Sequence, residues 1–139
     1  GAEANELLGR LKRELEAIRD DDRGSEQVVL SADLATDVYA GGERLDEAPD
    51  IVVGYNWGYG NSDEATQGRI PAAVLSDNVG GTFNGSHLMH PSVVNGVLLT
   101  NQPVQLADPR LEDLTTTILK LYGVEPTPGM VGRPILSNQ

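Results

Sequence analysis

Cysteine is absent from the 139 residues, which excludes disulfides, thiolate metal ligands and a cysteine nucleophile together. Aromatic residues are scarce at 4%, while glycine and proline number 16 and 8, so any core is built from Leu, Val, Ile and Ala between many turns. Positive charge is in short supply: 10 Lys and Arg stand against 21 Asp and Glu, a net charge of −11. Such a chain repels phosphate backbones and anionic membrane surfaces, which argues against nucleic acid as a stable partner. No apolar run approaches the length of a membrane span, and the first twenty residues are amphipathic and charged rather than signal-like. The sequence reads as a soluble chain with no signal or transmembrane segment, and its compartment is left open. There is no Walker loop, and Gly80-Gly81 does not complete the Gly-x-Gly-x-x-Gly pattern of a dinucleotide-binding helix.

What is present is a modest length with mixed periodicity, enough for a single α/β unit over residues 1–139. Leu7, Leu8, Leu11, Leu15 and Ile18 recur at three- and four-residue spacings, predicting an amphipathic helix from Asn5, its N-cap, to Arg19. Asp20, Asp21, Asp22, Arg23 and Gly24 then favour a turn, so residues 1–24 form a helix and an acidic turn. The adjacent aspartates lack the alternating oxygen ligands of a calcium loop and read as solvated. Residues 27–30 predict a strand, and residues 33–39 a turn or short helix. Apolar runs at 51–55, 72–75 and 97–100 predict strands covered on both faces. Asp108 and Pro109 introduce a helix from Leu111 to Tyr122, its apolar side formed by Leu111, Leu114, Ile118, Leu119 and Leu121, with Gly123 ending it. The Pro/Gly-rich tail, residues 124–139, is expected to lie extended against the domain.

The chain's two histidines, His87 and His90, sit three apart in a glycine-containing loop. Imidazole is a good zinc ligand, but two histidines leave a metal underligated, and Asp77 and Asn78 are the nearest oxygen donors in sequence. Ser86 beside His87 is not a catalytic dyad, since such groups meet through folding rather than adjacency. Tyr55, Trp57 and Tyr59 alternate; in an extended chain they would share a face able to stack on a ring or sugar, although packing is the commoner role.

Five segments taken in order resemble the C-terminal part of type I phosphodiesterase/nucleotide pyrophosphatase proteins of the alkaline phosphatase superfamily. They are Ala48-Pro49-Asp50-Ile51-Val52-Val53-Gly54-Tyr55-Asn56, then Asp77-Asn78, then Asn84-Gly85-Ser86-His87 with Pro91, then Gly96-Val97-Leu98-Leu99-Thr100-Asn101, and the ending from Leu111 to Leu136. The resemblance covers residues 48–136. Within the ending, Leu114-Thr115-Thr116-Thr117-Ile118-Leu119, Leu121-Tyr122-Gly123-Val124 and Gly132-Arg133-Pro134 are similar to a form shared by phosphomutases, phosphodiesterases and sulfatases.

This resemblance implies a partial alkaline-phosphatase-like layered sheet with helices packed on it. It also implies a parent enzyme that acts on a phosphate ester substrate at two divalent metal ions, zinc or manganese, with a Thr or Ser nucleophile. The loop histidine of that pattern is a metal ligand and maps onto His87, whereas His90 falls outside the expected set. The pattern's Asp-x-x-x-His and Asp-His pairs are missing, so no catalytic residue is assigned in this chain and no metal is expected to be retained by it. The implied identity is a C-terminal fragment, inactive alone; the alternative is a non-catalytic binding or structural module on the same scaffold. Two departures bear on this choice: Ser86 stands where relatives commonly carry an acid, and Trp57 where they often carry Arg, removing an imidazole-orienting carboxylate and an anion-binding cation. Unpaired apolar strands in such a fragment predict a homodimer.

Overall fold

The computed structural model describes residues 1–79 and 85–136. The described residues are mixed α/β, with four α-helices and two small antiparallel sheets. Two compact units divide the chain, Gly1–Asn95 and Gly96–Gln139.

In the first unit, helix α1 spans Ala2–Glu16. It begins upstream of the predicted cap: Asn5 lies inside the first turn and donates its N–H to the Gly1 carbonyl at 3.2 Å. Ala2, Glu3 and Ala4 are good helix formers without apolar periodicity, which is why the pattern alone places the start too late. The helix stops at Glu16 rather than Arg19 because Ile18 turns its carbonyl to the Val28 N–H, at 3.2 Å, and Arg19 enters a strand. Strands β1 (Arg19–Asp20) and β2 (Glu26–Gln27) pair across the acidic turn. Gly24 and Ser25 close that turn at φ 71° and 61°, left-handed values that suit glycine far better than serine.

Strand β3 (Val29–Leu34) pairs antiparallel with β4 (Ile51–Tyr55), setting Ala32 opposite Val53 and Leu34 opposite Ile51. Helix α2 (Ala35–Val38) continues from β3, and its Ala35 N–H donates to the Asp50 carbonyl at 3.1 Å. Val28, Val29 and Ala32 form a buried centre, against which Leu15, Ile18, Ile51, Val53, Tyr55 and Tyr59 pack. A short helix, α3 (Asp63–Thr66), follows, capped by the Ser62 hydroxyl. Residues 72–75 and 97–100 carry no strand: Val74 and Val97 are 83% and 86% exposed, and no described strand lies beside them to take their peptide groups.

Two side chains one helical turn apart join α1 to β3. Lys12 Nζ donates to Glu16 Oε1 at 2.6 Å and to the Ala32 carbonyl at 2.9 Å, while Glu16 Oε1 accepts the Ala32 N–H at 3.0 Å. Both polar groups of one residue on the outer edge of β3 are thereby satisfied from the helix. The Lys12 ammonium and the Ala32 N–H hold the Glu16 carboxyl below its ordinary value, and Glu16 raises Lys12.

In the second unit, helix α4 (Leu111–Leu121) lies in the predicted place with Gly123 left-handed after it, yet it is turned over. Of the side read as core-facing, Leu111, Ile118 and Leu121 are exposed and Leu114 and Leu119 half-buried, whereas the fully buried positions are Asp113, Thr116 and Thr117. Asp113 explains the inversion. Its carboxylate accepts the Arg110 N–H at 2.8 Å, completing a cap, and the Arg133 N–H at 2.6 Å, tying the helix to the tail. Thr117 Oγ1 accepts the Ile135 N–H at 2.9 Å, the Gln105 N–H donates to the Ile135 carbonyl at 2.8 Å, and Ile135 is buried. Within the described residues the tail turns once, the Met130 N–H donating to the Thr127 carbonyl at 2.9 Å, and then forms an antiparallel bridge between Leu136 and Val104.

Two stability predictions follow from these contacts. Replacing Glu16 by Ala should lower the urea-derived unfolding free energy at neutral pH by about 2 kcal/mol, the scale of leaving the N–H of a buried residue, Ala32, without an acceptor. Because Glu16 is depressed, its contribution is complete above the ordinary value near 4.5 and disappears as pH falls through the folded-state value, so Glu16→Gln should differ from the parent only above that window. Asp113 is likewise held below its ordinary 3.8, first by the Arg133 N–H and then by that of Arg110. Asp113→Asn should therefore loosen the 110–135 segment at neutral pH, seen as faster amide exchange at Arg133, with the difference closing as pH drops below about 3.8.

Candidate functional site

The loop that carries both histidines is anchored at the carboxyl end of β4. The Tyr55 N–H donates to the Leu88 carbonyl at 3.3 Å, and the His90 N–H donates to the Tyr55 carbonyl at 2.8 Å, with a parallel bridge between Tyr55 and Met89. Ser86 Oγ accepts the Leu88 N–H at 3.1 Å, shaping the turn that presents His87.

The two imidazoles have different surroundings. His90 lies across Gly54: a Cβ there would come within 2.9 Å of both His90 Cδ2 and Ser31 Oγ. A glycine inside a strand marks such a close approach. His90 Nδ1 accepts the Ser92 N–H at 3.2 Å and lies 2.7 Å from Ser92 Oγ, capping the 3-10 turn Pro91–Val93. Accepting a backbone proton at Nδ1 assigns the ring's own proton to Nε2 in the neutral form. His87 is exposed, and no hydrogen bond within the described residues engages its ring. Asp77 and Asn78 are exposed as well; among the described residues, no group of three His, Cys, Asp or Glu side chains converges on a metal-sized site. Gly80, Gly81 and Asn84 lie outside the described residues.

The aromatic triplet does not form one face. The chain turns after Tyr55, with Gly58 at φ 82°, so Tyr55 and Tyr59 fold back onto the core and Trp57 stays 68% exposed. Alternation alone misses this because the turn reverses the chain between them. Asn56 directs the reversal: its N–H donates to the Val28 carbonyl at 2.9 Å and its Nδ2 to the Gln27 carbonyl at 2.8 Å.

The acidic turn is structural rather than free. The Tyr59 hydroxyl faces Asp20 at 3.0 Å and Glu26 at 3.2 Å, and the Arg23 guanidinium sits 5.6 Å from the Tyr59 ring centre. Burial and the two carboxylates push the Tyr59 hydroxyl up to about 12. Asp20 also accepts the Asp22 N–H, and Asp21 accepts the Ser25 hydroxyl. A shallow groove between α1 and α2 is lined by Leu8, Leu34, Leu45, Ala48 and Pro49, and it includes neither histidine.

No family model, curated protein or solved structure matches the chain.

The packing of His90 makes a direct prediction. Gly54→Ala should displace the imidazole and cost about 2 kcal/mol, as overpacking does in a filled site, whereas Gly85→Ala, with open space around its Cβ position, should be close to neutral. Chemical denaturation measures the cost, and a shift of the His90 ring resonances in the Gly54 variant alone reports the displacement.

Proposed function

We propose that this chain is the C-terminal portion of a metal-dependent phosphohydrolase of the type I phosphodiesterase/nucleotide pyrophosphatase kind, contributing His87 to a two-metal centre. The observation that carries the reading is the division of labour between the histidines. His90 is committed to the Ser92 turn and the Gly54 surface, while among the described residues no group engages either ring nitrogen of His87, on a loop fastened to the end of a strand. Backbone hydrogen bonds of Leu88 and His90 to Tyr55 fix the position of that loop against the last residue of β4. The ordered sequence resemblance over residues 48–136 supplies the reaction class.

The described residues do not build the metal centre by themselves. One exposed imidazole is one ligand, and zinc takes three or four from protein, so no catalytic step is derived for this chain in isolation. Its assigned role is to hold and present that imidazole. The second reading, a non-catalytic module on the same scaffold, draws on Ser86, whose hydroxyl is spent on the Leu88 N–H where an orienting carboxylate would stand.

Zinc titration followed by imidazole NMR tests the assignment. His87 resonances should move first, with a dissociation constant weaker than about 10 μM, and His87→Ala should abolish the effect while His90 keeps its environment. A tight site, or a first response at His90, would overturn it. With zinc or manganese and a chromogenic phosphodiester, the chain should give no turnover; metal-dependent turnover lost in His87→Ala would refute the fragment reading.

A further inference from the structure

Several asparagines of this chain are held by the backbone around them or precede an N–H that is held. Asn56 gives Nδ2 to the Gln27 carbonyl, and its Oδ1 accepts the Trp57 N–H at 2.8 Å. Asn5 is wound into α1, and Asn101 is followed by Gln102, whose N–H donates to Thr100 Oγ1 at 3.1 Å. Asn95 differs on each count. It is exposed, as is Gly96 after it, and residues 95–100 belong to no helix or strand. The last backbone bond before it, from the Val94 N–H to the Pro91 carbonyl at 3.3 Å, closes the turn that His90 caps. Among the described residues, no hydrogen bond engages the Asn95 side chain or the Gly96 N–H, and the space where a Cβ on Gly96 would stand is open. These are the conditions under which an asparagine reacts with its own backbone. Closing a five-membered ring onto the next nitrogen needs that nitrogen accessible, its proton unclaimed and the main chain free to rotate, and glycine supplies both the access and the rotation.

We propose that Asn95 is a site of spontaneous covalent modification, its side-chain amide condensing with the Gly96 backbone nitrogen. That nitrogen, on losing its proton, forms a bond to Asn95 Cγ; the Cγ–Nδ2 bond breaks, and Nδ2 takes up a proton and leaves as ammonia. Water then adds to either carbonyl of the resulting succinimide and opens it. Attack at Cγ restores the main chain and leaves aspartate. Attack at the backbone carbonyl carbon leaves isoaspartate, with the main chain running through Cβ and Cγ and the α-carboxylate free. One water enters and one ammonia leaves, and no oxidant, reductant or enzyme is needed. Either product adds a negative charge to a chain already at −11, and isoaspartate inserts an extra carbon into the connection that joins Gly1–Asn95 to Gly96–Gln139.

Incubation of the folded chain at neutral pH in water labelled with heavy oxygen, followed by peptide mapping, tests the proposal. The peptide containing residue 95 should lose ammonia, gain one labelled oxygen and carry isoaspartate as well as aspartate. Conversion in the folded chain should run within about threefold of its rate in denaturant, as it does at a position whose local opening costs nothing. Gly96→Ala should slow it by about tenfold, because the added methyl crowds the nitrogen and restricts rotation. Asn95→Gln, whose ring would have six members, should stop it, with circular dichroism confirming that both variants fold. Asn84, the chain's other asparagine before a glycine, lies outside the described residues, and mapping by position separates the two. Conversion confined to Asn84, aspartate without isoaspartate at position 95, or an undiminished rate in Gly96→Ala would each overturn the proposal. So would a folded-state rate at Asn95 more than about tenfold below that in denaturant.

Discussion

The backbone of a single residue governs how the first unit is put together. Ala32 lies at the centre of β3, fully buried, with one side of its residue in the core and its amide groups directed at the sheet edge. An edge amide that is neither hydrated nor paired is costly, and a two-stranded sheet is marginal on its own. Lys12 and Glu16 resolve both problems at once by bringing a donor and an acceptor from one face of α1. Because the same helix delivers Leu15 and Ile18 to Val28 and Val29, the polar clasp and the apolar contact fix one register of helix on strand. The chain's small core depends on that register, since shifting the helix by a residue would separate all of these contacts together.

The second unit follows a different plan. Its helix is secured by the Asp113 carboxylate and the Thr117 hydroxyl, which satisfy backbone groups of the tail, and the close approach is possible because Gly132 lies against the Glu112 carbonyl with no room for a side chain. Buried polar groups of this kind specify geometry tightly, as each must be matched or lost. Large apolar residues are left outside, with Leu111 and Tyr122 more than 80% exposed.

What could be read from the sequence follows the range over which each signal acts. The helices predicted from Asn5 to Arg19 and from Leu111 to Tyr122, the Gly24 turn and the β4 run are local patterns, and each appears within about three residues of its predicted place, at Ala2–Glu16 and Leu111–Leu121 for the helices. Which face of α4 is buried is set by Arg133 and Ile135, some twenty residues away, and periodicity carries no information about them. The runs at 72–75 and 97–100 have strand composition but lack a neighbour, and composition cannot supply one. At the candidate site, sequence singled out His87 and His90 by residue type; their separation into an open and a committed ring came from Gly54 and Ser92. Gly54 was the visible clue, a glycine breaking an otherwise branched apolar strand. Asp113 had a clue too, standing three residues into a helix where a carboxylate completes a cap.

Trp57 is the chain's single tryptophan, and the turn after β4 holds it largely in water. Its indole therefore senses solvent in the folded chain much as it would in an unfolded one. Tryptophan emission will be a poor reporter of whether the α1–β3–β4 core has formed, and a flat fluorescence trace is compatible with a cooperative transition. The informative optical probes are Tyr55 and Tyr59, whose rings are packed on that core and leave it when it opens.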